Sequence, residues 1–346
     1  MTLVEVASKF SNESAAWEYV EELRWNGHPE CPRCGSDDVF FMAPRSDQPR
    51  TTRTGTTSFR RLWRCRGCKK QFSVLIGTIF EGTKIPLSKW LMGIYLMSAG
   101  KNGVAALELQ RDLGITYKSA WFMVHRIRQA MANAPIGNKM FGTVVADETW
   151  VGGKPSNRHA SKQPTEGERI GAGGTGRPSW TDKQPVLSMV NVETGEVRSR
   201  VVGDVTGSTL RKAMAEHVDF ASTDLHTDES HSYWPIASEF RSHSSVNHKA
   251  GEYVRGGVST NKVEGFFSQF KRSLDGTHHH VSREHLQRYA NEFDFRYSTR
   301  KLSDGERGTN MVARADGAYL SYRRLISTGP VAMGTRPRPV GRPGPR

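Results

Sequence analysis

The chain contains no apolar run approaching the roughly 20 residues that a membrane helix requires, so a membrane partner is not expected. It has only four cysteines in 346 residues, too few for a disulfide-stapled secreted scaffold. Residues 1–10 lack the basic-then-apolar pattern of a signal peptide, and a cytoplasmic, nucleoid-associated protein is expected. Apolar residues are sparse at 36%, enough for real cores only if linkers and tails hold much of the polar excess. Negative charge is also short: 35 acidic against 49 basic side chains leave a formal charge of +14. Basicity of this size favours a polyanionic partner, of which nucleic acid is the commonest. The length exceeds one average domain, so several are expected.

The four cysteines form two Cys-x-x-Cys pairs, Cys31 with Cys34 and Cys65 with Cys68. A reducing compartment disfavours two disulfides, and four thiolates in this pairing suit a closed, structural tetrahedral zinc site. Residues 1–27 read as a helical lead-in. Residues 28–80 read as a zinc ribbon: knuckle, basic hairpin, second knuckle, then a strand over Gln71–Ile76.

Residues 84–135 carry three helical patterns, over Pro86–Met97, Val104–Leu113 and Tyr117–Arg128. Gly114, Ile115 and Thr116 form the turn before the third, with Thr116 as its cap. A glycine turn between two short helices is a helix-turn-helix pattern. It would present Tyr117, Lys118 and Ser119 to the DNA major groove, with Arg126 as a further DNA contact.

From about 140 the periodicity changes to strands: Thr143–Asp147, Gln184–Val192 and Val197–Val202 in antiparallel order, then a helix over Thr209–Val218 and a strand over Thr223–Thr227 leading to Asp228. Helices follow at 261–274 and 283–297. In the first of these, Glu264 and Lys271 are two turns apart on one face, with Asn261 one turn before Glu264; Lys271 and Arg272 are candidate DNA contacts. Two strand-end aspartates, Asp147 and Asp228, and the helix-borne Glu264 are what a two-metal phosphoryl-transfer site needs. Magnesium, or manganese, suits such oxygen ligands. Glu148 alternates to the other side of its strand and is left out of the set. A glycine-rich insertion at 164–180 and a Pro/Gly/Arg tail at 329–346 read as unstructured.

The order zinc ribbon, helix-turn-helix, Asp147-Glu148-Thr149-Trp150-Val151-Gly152-Gly153-Lys154, His226-Thr227-Asp228-Glu229-Ser230, Thr260-Asn261-Lys262-Val263-Glu264-Gly265-Phe266-Phe267 and His278-His279-His280-Val281-Ser282 closely resembles the ISXO2-like group of bacterial insertion-sequence DDE transposases. The resemblance runs from about residue 20 to 300. It implies an RNase H-like mixed-sheet catalytic domain over 140–300 in a multidomain α/β protein. It also implies Asp147 and Asp228 as catalytic metal ligands. The third is Glu264, favoured because a carboxylate is the better ligand for a hard cation, or Asn261, since an asparagine is described there in parts of the family. Lys271 would contact a phosphate. The implied partners are transposon ends and target DNA, bound by a homodimer or higher assembly. A zinc-ribbon regulator with a dead catalytic domain, and a nuclease that cuts without joining, are the competing classes.

Overall fold

The computed structural model describes residues 2–43, 50–51, 57–58, 61–132, 139–152, 183–247, 254–255 and 258–327. The expected insertion at 164–180 and tail at 329–346 lie outside the described residues. The chain divides into two units, Met1–Asn133 with Leu302–Arg346, and Ala134–Lys301.

In the first unit, helices α1 (Leu3–Lys9) and α2 (Glu13–Trp25) precede a three-stranded antiparallel sheet of β1 (Val39–Phe41), β4 (Trp63–Cys65) and β5 (Gln71–Phe72), in the order β1-β4-β5. Strands β2 (Arg50–Thr51) and β3 (Thr57–Ser58) pair as a separate hairpin between the knuckles. A sheet this small cannot bury a core of its own. Phe72, Cys31 and Cys65 pack with Trp25 of α2 and with Trp63. The Glu21 carboxylate accepts from Trp63 Nε1 at 3.0 Å and Arg61 Nε at 2.9 Å. The expected strand over Gln71–Ile76 stops after Phe72. There the Val74 and Ile76 carbonyls turn to accept from the Arg24 guanidinium instead of from a sheet partner.

Helices α3 (Leu87–Ala99), α4 (Ala106–Leu113) and α5 (Tyr117–Met131) follow. Pro86 offers α3 no side-chain cap. The Glu13 carboxylate supplies one from a distance, accepting from the Leu87 and Ser88 amides at 2.6 and 3.0 Å, where the helix dipole favours negative charge. Gly114 ends α4 in the left-handed conformation (φ 56°), which glycine adopts without steric cost. Thr116 caps α5 by accepting from the Ser119 amide.

In the second unit, β6 (Met140–Val151), β7 (Gln184–Asn191), β8 (Val197–Val201), β9 (Val218–Asp228) and β10 (Ser242–Val246) form one mixed sheet in the order β10-β9-β6-β7-β8. The pairs β10/β9 and β9/β6 are parallel; β6/β7 and β7/β8 are antiparallel. Both faces are covered, so β6 and β7 are apolar on both sides, as expected of inner strands. Helix α6 (Gly207–Ala215), a single 3-10 turn at His231–Tyr233 and the short α7 (Trp234–Ala237) bury Val144, Ala146, Leu187, Met189 and Leu225 on one face. Helices α8 (Asn261–Ser273) and α9 (Arg283–Ser298) bury Val145, Val186, Val190 and Val197 on the other. Strands β11 (Val254–Arg255) and β12 (Val258–Ser259) pair with each other before α8.

Strand β8 is a sheet edge, and α9 completes it. The outward amides of Val197, Ser199 and Val201 donate to Ser298 Oγ (2.9 Å), Asp294 Oδ2 (2.7 Å) and Gln287 Oε1 (2.7 Å). The spacings of seven and four residues put these acceptors on one helical face.

After Lys301 the chain returns to the first unit, which sequence analysis leaves unassigned. Helix α10 (Asp304–Ala313) packs against α3, and α11 (Tyr322–Ile326) follows. The Thr309 hydroxyl hydrogen-bonds Tyr19, and Asp316 pairs with Arg24 at 2.8 Å.

Candidate functional site

The four thiols converge. Cys31 Sγ lies 3.7 Å from Cys68 Sγ, Cys34 Sγ lies 3.6 Å from Cys65 Sγ, and all four sulfurs lie within 4.8 Å of one another. With zinc–sulfur bonds of about 2.3 Å, the edge of a tetrahedron is about 3.8 Å, close to these separations and far longer than the roughly 2.05 Å of a disulfide. The residues therefore fit a structural zinc ion. Gly35 and Lys69 take positive φ, 73° and 58°, just past the second cysteine of each knuckle. This turn geometry brings the Gly35 amide onto the Cys31 carbonyl at 2.8 Å and the Cys68 amide onto Cys65 Sγ at 3.4 Å. Burial pushes the Cys31 thiol up to about 12.

The N-terminal turn of α5 is open to solvent: Tyr117 is 49% exposed and Lys118 is exposed. Lys118 Nζ stands 4.8 Å from the centre of the Tyr322 ring of α11, which also meets Phe122 edge-on. Ser119 is half-buried and serves the Thr116 cap. Arg126 corrects the expectation of a DNA contact. It is 4% exposed, and its guanidinium donates to the carbonyls of Leu320 (3.0 Å), Ile79 (2.8 Å) and Glu81 (2.8 Å). From Met123 onward α5 is the central helix of its unit, so Arg126 fastens the returning chain there and does not face solvent.

The acidic residues are positioned by the mixed sheet. The parallel register ends at Val145↔His226. Asp147 and Asp228 each stand two residues farther on, on adjacent strands. Side chains alternate along a strand, so Asp147 shares the phase of Val145, the face covered by α8 and α9. Asp147 Oδ1 accepts from the Glu148 amide at 2.7 Å, and Asp228 Oδ1 from the Ser230 amide at 3.0 Å.

On α8, Val263, Phe266, Phe267 and Phe270 are buried, while Asn261, Glu264, Lys271 and Arg272 are exposed. At about 100° per residue, Glu264 and Lys271 lie within about 20° of each other beside the buried stripe, and Asn261 lies about 60° farther out. The Thr260 hydroxyl donates to Glu264 Oε1 at 2.7 Å, and Arg272 Nε to the Ser268 carbonyl at 3.1 Å. Among the described residues, the cysteines form the one group of three or more ligand side chains closing within 4.8 Å; Asp147, Asp228 and Glu264 do not draw that close.

Glu148, left out of the expected carboxylate set, sits beside Asp147 in a buried setting of its own. It does alternate away from Asp147, but the opposite face is also buried. There the Tyr233 hydroxyl, fully buried, donates to the Glu148 carboxylate. Burial pushes Glu148 up to about 7 despite that hydrogen bond, and the negative fields of Asp147 and Asp228 add to the rise. The signal available in sequence was adjacency: a second carboxylate beside Asp147 on a strand covered on both faces.

Residues 139–298 match the family model of the ISXO2-like transposase domain, and residues 11–71 match that of the transposase zinc-ribbon domain. The second match includes most of the helical lead-in, in agreement with the docking of α2 on the ribbon. A protein of Halobacterium salinarum described as an uncharacterized protein in transposable element ISH50 is 27% identical over 288 residues, 83% of this chain and 91% of that protein.

Proposed function

Because the chain belongs to the ISXO2-like insertion-sequence transposases by both its transposase domain and its zinc ribbon, we propose that it cuts DNA at the ends of a mobile element and joins the freed ends to target DNA. The observation that carries this reading is the sheet register, which brings Asp147 and Asp228 onto adjacent strands two residues past Val145↔His226. The strand order β10-β9-β6-β7-β8, with β7 antiparallel to its neighbours, supports an RNase H-like catalytic domain.

Asp147 and Asp228 are hard oxygen donors suited to magnesium or manganese, and Glu264, beside the buried stripe of α8, is the third carboxylate. Asn261, farther round the helix, orients rather than binds. When present, such an ion supplies charge neutralisation and lowers the pKa of a bound water. Lys271, on the face of Glu264, holds a DNA phosphate, and Arg272 extends that contact. Hydrolysis at the element end frees a 3′-hydroxyl. That hydroxyl attacks a target phosphodiester and expels a target 3′-oxygen, so one phosphodiester replaces another. Tyr117, Lys118 and Ser119 at the start of α5 form the helix-turn-helix contact with the terminal repeats, and a dimer or higher assembly pairs two ends.

The test is cleavage and strand transfer on labelled DNA carrying the element's own flanking repeats, with magnesium or manganese. Asp147→Asn, Asp228→Asn and Glu264→Gln are expected to abolish both products while DNA binding by gel shift persists, and Asn261→Ala to retain some joining. Retained cutting in either aspartate variant overturns the assignment. Binding without cutting by the zinc-loaded wild type favours a non-catalytic DNA-binding regulator.

A further inference from the structure

A cavity of about 720 Å³ opens in the second unit beside the acidic strands, lined by Trp150, Lys183, Thr206, Ser230, Ser232 and Arg283 among others. Neither Asp147 nor Asp228 lines it; Ser230 and β6 connect it to them. Trp150 lies three residues past Asp147 on β6, about 10 Å of strand, in the phase of Glu148 and so on the opposite side of the strand from Asp147. Ser230 donates its amide to Asp228 Oδ1 at 3.0 Å.

The lining has the chemistry of a nucleotide site. Trp150 offers an aromatic surface. Lys183 and Arg283 have no ion-pair partner among the described residues; Arg283 is steered by a bond from its Nε to Gln184 Oε1 at 2.8 Å. The one carboxylate in the lining, Asp204, is turned onto Thr206, accepting from its amide at 3.0 Å and its hydroxyl at 2.6 Å. Thr206 is also the N-cap of α6, so the positive end of a nine-residue helix dipole adds to the two cations. Gly207 keeps that helix end close: a Cβ there would meet the Ser232 carbonyl oxygen at 2.9 Å.

We propose that this cavity takes one unpaired nucleotide of the DNA strand processed at Asp147 and Asp228, its base stacked on Trp150 and its phosphate held by Lys183 and Arg283. The inference rests on the proposed DNA-processing function and names a substrate feature of the same site. Stacking is sequence-tolerant because every base has a π face, whereas the cations provide the backbone contact that paired or unpaired DNA shares. The cavity therefore selects for an unstacked base near the cut, which a mismatched or single-stranded end supplies at least cost.

The test uses full-length protein and end-repeat DNA with a single 5-iodouracil placed in turn at each of the last positions, as duplex and with the end unpaired. After irradiation, the crosslinked peptide is identified by mass spectrometry. The expected result is a crosslink to Trp150 from one position, stronger with the unpaired end. It is lost in Trp150→Ala and kept in Trp150→Phe, with affinity for the unpaired end about tenfold weaker in Trp150→Ala. Lys183→Ala with Arg283→Ala should weaken the same crosslink. Crosslinks that never map to Trp150, or a Trp150→Ala protein that binds unpaired and paired ends as the wild type does, would overturn the proposal; Trp150→Phe guards against a folding defect. Cutting without the Trp150 crosslink removes the cavity reading alone. The crosslink without cutting or joining keeps the cavity and removes the transposition reading.

Discussion

The Tyr233 hydroxyl donates a hydrogen bond to the Glu148 carboxylate, linking the turn that follows Asp228 to the strand position that follows Asp147. The bond lies on the α6 side of the sheet, behind the face that Asp147 shares with α8. It holds the two strand ends together where their own parallel pairing has stopped.

Tyr233→Phe deletes this donor and leaves a buried carboxyl group without it. A loss of about 1–3 kcal/mol is expected, read as a lower urea midpoint. A double-mutant cycle with Glu148→Ala, which removes the acceptor, should show coupling between the two positions; simple additivity would mean that the bond contributes nothing to stability.

Arg126 and Lys118 lie on one helix and should part company in DNA binding. Arg126→Ala strands three carbonyls that now accept from a guanidinium and should cost at least about 3 kcal/mol of stability. Lys118→Ala should leave stability within about 0.5 kcal/mol and reduce the slope of log affinity against log salt by about 1. A titration series over salt, run beside thermal unfolding of both variants, separates the two roles.

Zinc removal should disrupt the ribbon, whose three short strands share a core with two of the ligand cysteines. A chelator that strips the metal, or Cys34→Ser, should change the fluorescence of Trp25 and Trp63, which lie 5.6 Å apart in an edge-on pair. Zinc analysis of the wild type should give about one equivalent per chain; unchanged tryptophan emission after complete metal removal would contradict a structural role.

Asp294 carries a pH signature. Burial pushes its carboxyl group up to about 7, although the Ser199 amide and hydroxyl both donate to it. The folded state therefore holds a proton that the unfolded chain releases near pH 4. The stabilisation is fully present below the unfolded value and fades as pH rises toward 7. Its size is on the order of a few kcal/mol. Asp294→Asn should remove this component. The comparison must be made against the wild type at each pH, because half-buried His217, pushed down to about 4 by its desolvation, contributes the opposite slope over part of the same range.

Features written in short segments were legible. Each knuckle is four residues long, so the spacing of Cys31, Cys34, Cys65 and Cys68 announced their convergence. Thr116, three positions before Ser119, announced its own cap. The phenylalanines of α8 announced its buried face and hence which side chains remain exposed. What escaped depends on distant chain segments. Nothing around Arg126 signals that its partners are the carbonyls of Leu320, Ile79 and Glu81. Helices α10 and α11 are short and polar, and Tyr19, Arg24 and α3 hold them in place more than their own periodicity does. Alternation gave the direction of Glu148 correctly but did not reveal that a tyrosine from after the next parallel strand waits on that side. Trp150, Lys183 and Arg283 are 33 and 100 residues apart in sequence and become neighbours only because β6, β7 and α9 meet.

The three acceptors that α9 offers to β8 have a consequence for how copies of this chain can meet. An unsatisfied strand margin is a template on which another chain can grow a sheet, by swapping or by aggregation. With the amides of Val197, Ser199 and Val201 already satisfied by Ser298, Asp294 and Gln287, that margin is closed to backbone recruitment. Along that margin a chain of formal charge +14 is thus left with side-chain contacts, and without the continuous sheets in which paired backbones would trap it.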